Sequence, residues 1–135
     1  MKGGCIYTIG GREYWLVCTA DAYFDITETY GGDFGDKLLA GGRDGYENAL
    51  GCLCILAREG ELCRRYMGYT AEEMLTRDEL RRVILPGDIG KVKNAVLESI
   101  RAGLRIEKGE TEEKSEPVDI GLIEFEKKTV IERIR

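Results

Sequence analysis

The sequence has no histidine, no Cys-x-x-Cys pair, no excess of positive charge and no long apolar run. Without histidine, neither a Ser-His nor a Cys-His pair can form, and the commonest general base of enzymes is missing. The five cysteines, Cys5, Cys18, Cys52, Cys54 and Cys63, lack the paired spacing that zinc sites use. A net charge of -5 and a pI near 5.0 disfavour a surface that displaces phosphate counterions, so no nucleic-acid partner is expected. No stretch approaches the roughly 18 apolar residues of a membrane span, and no membrane partner is expected. The start "MKGGCIYTIGG" has neither the apolar core nor the cleavage site of a secretory signal. The protein is therefore expected in the cytoplasm, where thiols stay reduced and structural disulfides are rare.

Nucleotide and metal motifs are missing as well. The glycine clusters "GGDFGD" and "AGGRDG" match neither the dinucleotide fingerprint nor the P-loop and read as loops. Asp33, Asp36 and Asp44 lack the alternation and terminal glutamate of a calcium loop. No cofactor and no catalytic residue is expected.

What is present suits one domain: 135 residues, 43% apolar and 33% charged, enough to build a core. Three cysteines crowd into "GCLCILAREGELC", residues 51–63, which raises the choice between metal, redox and core roles. On a helix, an advance of 100° per residue gathers Cys52, Ile55, Leu56, Glu59, Cys63, Tyr66 and Met67 in one stripe, with Cys54 nearly opposite Cys52. Cys52 and Cys63 then stand about 16 Å apart along the axis, too far to share an ion. Free cysteine behaves as a small buried hydrophobe, so core filling is the first reading. Arg64 and Arg65 beside Cys63 leave a second one open, a depressed thiol pKa serving cysteine-dependent metal or redox chemistry.

Along the chain, Gly10-Gly11 supplies the positive φ of a tight turn between strands over 5–9 and 12–17. A lone hairpin is marginal in water, so one face must lie on helices. Thr19 is placed to cap a helix that Gly31 ends, with Ala22, Tyr23, Ile26 and Tyr30 on its buried stripe. At most one short helical turn, around 36–40, interrupts the glycine-rich stretch that follows. Asp44 and Glu47 open the long helix, about 45–67, in an acidic variant of the capping box, and Gly68 closes it. Gly51 and Gly60 within it each cost on the order of 1 kcal/mol against alanine, which points to close packing or, at Gly60, to a break.

Thr70 and Thr76 each stand three residues before a glutamate and predict a short turn over 71–75 and a helix over 77–84. Pro86 breaks that helix, and Asp88 is placed to cap the next. Ile89, Val92, Val96 and Ile100 carry the apolar face of this last helix over 89–102, with Gly103 at its end. The carboxylate pairs Glu72-Glu73 and Asp78-Glu79 sit where first helical turns favour negative charge, so capping explains them without catalysis. The aromatics of the first third, Tyr7 to Tyr46, either fill the space between hairpin and helices or face a partner.

After Leu104 the composition changes. "RIEKGETEEKSEP", 105–117, cannot bury enough surface to order itself. "VDIGLIEFEKKTVIERIR" recovers apolar content, and Ile120, Leu122, Ile123, Phe125, Val130 and Ile131 are its candidate partner-binding residues. That segment either docks back on the domain or folds on a partner. The expected fold is mainly α, of the α+β kind. Residues 1–104 form an N-terminal β-hairpin packed on a small bundle of about four helices, and 105–135 form a charged linker and apolar segment, a partly disordered tail.

One pattern runs through the first 104 residues. The hairpin "GREYWLVCTADAYFDITETYGGDF" leads into a helix with glycine after it, followed by the central helix "YENALGCLCILAREGELCRRYMG". The connector "YTAEEMLTRDEL" and the last helix "LPGDIGKVKNAVLESIRAGL" complete it. This order resembles the tail assembly chaperones of long-tailed bacteriophages and prophages over roughly residues 6–104. The resemblance implies a mostly helical, non-catalytic protein of virion morphogenesis in the bacterial host cytoplasm. Its implied partners are the tape measure protein and the tail tube protein, with self-association as a further possibility. The segment after 104 is longer than the compact pattern. A small protein-binding adaptor of another macromolecular assembly is the alternative that the same composition serves.

Overall fold

A computed structural model of the chain describes residues 4–105. Gly10 and Gly11 take φ of 58° and 83°. Two consecutive left-handed residues make the turn whose twist matches that of a hairpin. It joins β1 (Gly4–Ile9) to β2 (Arg12–Val17), pairing Ile9 with Arg12, Tyr7 with Tyr14 and Cys5 with Leu16. Thr19 caps α1 (Ala20–Tyr30) by accepting from the Ala22 amide, and Gly31 at φ 91° ends it. Then come α2 (Phe34–Leu39), α3 (Gly42–Tyr66), α4 (Arg77–Val83) and α5 (Ile89–Leu104), with a 3-10 turn at Pro86–Asp88. The expected architecture, a hairpin packed on helices, is the one observed. The helix beyond the expected four is α2, in the stretch expected to hold a single short turn.

The long helix α3 is the spine, lying against β2, α5, α2 and α1, while α5 also covers β1. Leu16, Ile26, Leu38, Leu50, Leu53, Leu56, Val96 and Ile100 meet between these layers and are fully buried. Each such side chain stabilises the fold by roughly 1.5–3 kcal/mol relative to exposure. Gly60 lets α3 cross β2 at contact distance, since a Cβ there would collide with the Trp15 carbonyl. The helix is continuous through Gly60, so close packing and not a break accounts for this glycine.

Several local expectations are corrected. α3 starts at Gly42 without a side-chain cap, and Asp44 and Glu47 form no capping box, because Glu47 pairs with Arg43, Arg77 and Arg81 instead. Thr70 starts no helical turn; residues 69–76 are irregular, and Arg64 and Arg65 donate to the Thr70 and Glu72 carbonyls. Thr76 and Glu79 do form the full box that opens α4. Asp88 accepts from the Leu85 amide and does not cap α5 through its side chain. α5 runs through Gly103 to Leu104, and Arg105 takes the left-handed φ of 62° expected of a terminal glycine. Gly103 instead makes room for the Cys18 carbonyl.

The stripe on α3 is also corrected. Cys52 and Leu56 are buried, together with Ala49, Leu53, Ala57 and Gly60, but Cys63 is only half-buried and Tyr66 is 92% exposed. Periodicity detects an apolar face and cannot tell where along a helix that face runs out of neighbours. On α1, Ala22 and Ile26 are buried while Tyr23 and Tyr30 are half-buried. The candidate partner-binding residues Ile120, Leu122, Ile123, Phe125, Val130 and Ile131 lie outside the described residues. Among the described residues no helix is long and apolar enough to cross a membrane.

Candidate functional site

The thiols come first, because they carried the chemical alternative. All five are free. Burial pushes the Cys18 and Cys52 thiols up to about 12. Burial also raises Cys54, with Arg77 acting against it, and raises Cys63 together with the Glu59 carboxylate. The depression that Arg64 and Arg65 could have produced at Cys63 does not arise. Both guanidinium groups turn to Glu61, at 2.7 and 2.9 Å. A thiol held above its ordinary value is protonated near neutral pH and is a poor nucleophile and ligand. Among the described residues no three Cys, Asp or Glu side chains are grouped to hold a metal ion.

A different centre forms near the end of α3, around Glu61, which is only 6% exposed. Its Oε1 accepts from Arg64 at 2.7 Å, and its Oε2 accepts from Arg65 at 2.9 Å and from the Glu72 amide at 2.7 Å. Burial by itself would raise this carboxyl. The Glu72 amide and the two arginines outweigh burial and hold it below the usual carboxylate range.

The same bonds tie down the connector between α3 and α4. Arg65 donates to the Glu72 carbonyl at 2.9 Å, and Arg12, from the hairpin, donates to the Glu73 carbonyl at 2.8 Å. Arg12 also pairs with the Glu72 carboxylate at 3.2 Å. The connector thus carries Tyr69 edge-on against Trp15 with ring centroids 5.6 Å apart, and the Arg64 guanidinium lies 5.3 Å from the Tyr69 ring centre. Edge-to-face aromatic pairs at this separation are worth about 0.5–1.5 kcal/mol beyond their buried area.

Large apolar side chains are exposed in this stretch of the chain: Leu62, Tyr66, Met67 and Tyr69. Leu62 and Tyr66, four residues apart, share a face of α3. On the hairpin, Ile6, paired with Trp15 across the two strands, is exposed as well. The stripe expected to be core therefore divides. The structure keeps Cys52 and Leu56 inside and delivers Tyr66 and Met67 to the surface; Leu62 and Tyr69, which sequence reasoning missed, are exposed as well. The signal for the change was charge. Arg58, Glu59, Glu61, Arg64 and Arg65 crowd the last nine residues of α3, and so many charges are carried only where most of them reach water or, like Glu61, are paired. The exposed apolar face of Leu62 and Tyr66 can shed water against an apolar partner.

Comparisons with protein-family models, curated proteins and solved structures find no match to this chain.

Proposed function

We propose that this protein is a non-catalytic chaperone of the phage tail assembly kind, which holds the tape measure protein in the bacterial host cytoplasm and assists assembly of the tail tube. The observation that carries this reading is the exposure of Leu62 and Tyr66, one helical turn apart on a single face at the end of α3, with Met67 exposed just beyond. Contiguous exposed apolar surface marks a protein-binding site. Aromatic residues and methionine are enriched in interface cores, and the flexible thioether adapts to irregular partners. A holdase for long apolar helices needs such a surface, and the net charge of -5 opposes its self-precipitation. The order of hairpin, helix, central helix, capped connector and last helix, which resembles that of the tail assembly chaperones, supports the same reading.

The test is co-expression with the tape measure protein of the genome that encodes this chain. The wild-type chain is expected to keep that protein in solution and to co-purify with it. A Tyr66→Asp, Met67→Asp double variant is expected to lose both effects while melting as the wild type does. A wild-type chain that captures nothing, or a double variant that captures as well as the wild type, overturns the reading.

A further inference from the structure

The hairpin has one covered edge and one open edge. With Ile9 and Arg12 closing a two-residue turn, the hydrogen-bonded pairs are Ile9 with Arg12, Tyr7 with Tyr14 and Cys5 with Leu16. The backbone groups of Ile6 and Thr8 therefore point away from β2. Among the described residues nothing hydrogen-bonds to those outward groups. Both residues are exposed, Ile6 by 52%. The outward carbonyl of Trp15 on β2 faces Gly60 of α3, so the opposite edge is covered.

Natural sheets blunt an open edge with charge, proline, a bulge or a covering element. β1, "GCIYTI", has no charged residue and no proline, and its register with β2 is unbroken. Such an edge is a template for a further strand.

The chain itself contains the matching piece. α5 covers β1, and near its end Gly103 lies against the Cys18 carbonyl, just past the end of β2 remote from the turn. Beyond Arg105 the sequence continues through residues 106–135. Within it, "VDIGLI", 118–123, alternates Val118, Ile120 and Leu122 with Asp119 and Gly121, the pattern of a half-buried strand. The intervening stretch, 106–117, spans up to roughly 40 Å at about 3.3–3.6 Å per residue. That is about twice the roughly 20 Å length of a six-residue strand. Either end of β1 is within its reach.

We propose that residues 118–123 of this chain add to the open edge of β1 as a third strand, with Val118, Ile120 and Leu122 on the same face as Cys5 and Tyr7, the side that α5 covers. Ladder bonds then satisfy the outward amides and carbonyls of Ile6 and Thr8, and the apolar side chains extend the buried face that Cys5 and Tyr7 begin, leaving Asp119 on the solvent side with Ile6. The proposal stands apart from the chaperone reading, which places the partner on α3 and the connector after it.

Amide hydrogen exchange on the full chain, followed by NMR at two protein concentrations, tests it without any partner present. The Ile6 and Thr8 amides are expected to exchange at least about tenfold more slowly than unprotected amides, equally at both concentrations. An Asp119→Pro, Ile120→Pro variant, in which a donor facing β1 is removed whichever way the strand runs, is expected to lose that protection while Leu53 and Leu56 keep theirs. Unprotected Ile6 and Thr8 amides in the wild type overturn the proposal. So does protection that survives both prolines, or protection that grows with concentration, which would assign the edge to a second copy.

Discussion

The α-carbon of Gly60 lies against the carbonyl of Trp15, with no room between them for a methyl group. This contact sets how closely α3 crosses β2, and it reverses the usual effect of a glycine in a helix. In an open helix, replacing glycine by alanine gains about 1 kcal/mol. Gly60→Ala is instead expected to cost about 2 kcal/mol, as overpacked cores do. The readout is a lower urea midpoint at an unchanged m-value. A stabilised variant would mean that helix and strand can move apart freely.

Glu61 joins three donors, the Arg64 and Arg65 guanidinium groups and the Glu72 amide. Glu61→Ala is expected to cost about 3 kcal/mol, because Arg64 and the Glu72 amide are left without their buried acceptor. Tyr69 is expected to leave Trp15 as the connector loosens. Trp15 is the only tryptophan of the chain, so its emission should move to the red in the folded variant. Unchanged emission would show that the bonds from Arg12, Arg64 and Arg65 to the connector carbonyls hold it without Glu61.

The same carboxylate sets an acid limit. Its folded pKa lies below the unfolded value of about 4.3. The unfolded state therefore binds more protons as pH falls through that range. The contribution of Glu61 is complete above the unfolded pKa and is lost as pH drops toward the folded one. Denaturation midpoints measured from about pH 6 to about pH 3 should fall, and Glu61→Gln should fall less steeply.

Cys18 and Cys52 set a limit of the opposite sign. Their thiols are pushed up to about 12 in the fold, while an unfolded thiol ionises near 8.5, in approximate terms. The unfolded state therefore loses protons first as pH rises, and stability should decline between about pH 9 and about pH 12. The slope reaches up to about 1.4 kcal/mol per pH unit for each thiol. Cys18→Ala should make that decline shallower. At neutral pH, a thiol reagent should modify Cys18 and Cys52 only when denaturant is added.

Thr76 opens α4 by accepting from the Glu79 amide at 3.2 Å, while the Glu79 carboxylate accepts from the Thr76 amide at 3.0 Å. Thr76→Ala is expected to cost about 1 kcal/mol. Faster amide exchange in α4, with α3 unchanged, would localise the effect to the cap.

The turn at Gly10-Gly11, the Thr19 cap, the Gly31 stop and the box at Thr76 and Glu79 were all legible in the sequence, because each depends on residues within a few positions of one another. The separation of Cys52 from Cys63 was legible for a related reason, since helix geometry converts sequence distance directly into ångströms. Only the tertiary structure decided that Arg64 and Arg65 would serve Glu61 and not Cys63, and that Glu47 would gather arginines and not cap its own helix. It also decided that Tyr66 and Met67 would stand in water while Leu56 lay beneath the hairpin and α5. A guanidinium group takes the nearest suitable acceptor in space, and an apolar face is buried only where a neighbouring element covers it. Neither condition is written in the spacing of residues along one helix, and the candidate site consists of the places where those two conditions were settled by packing.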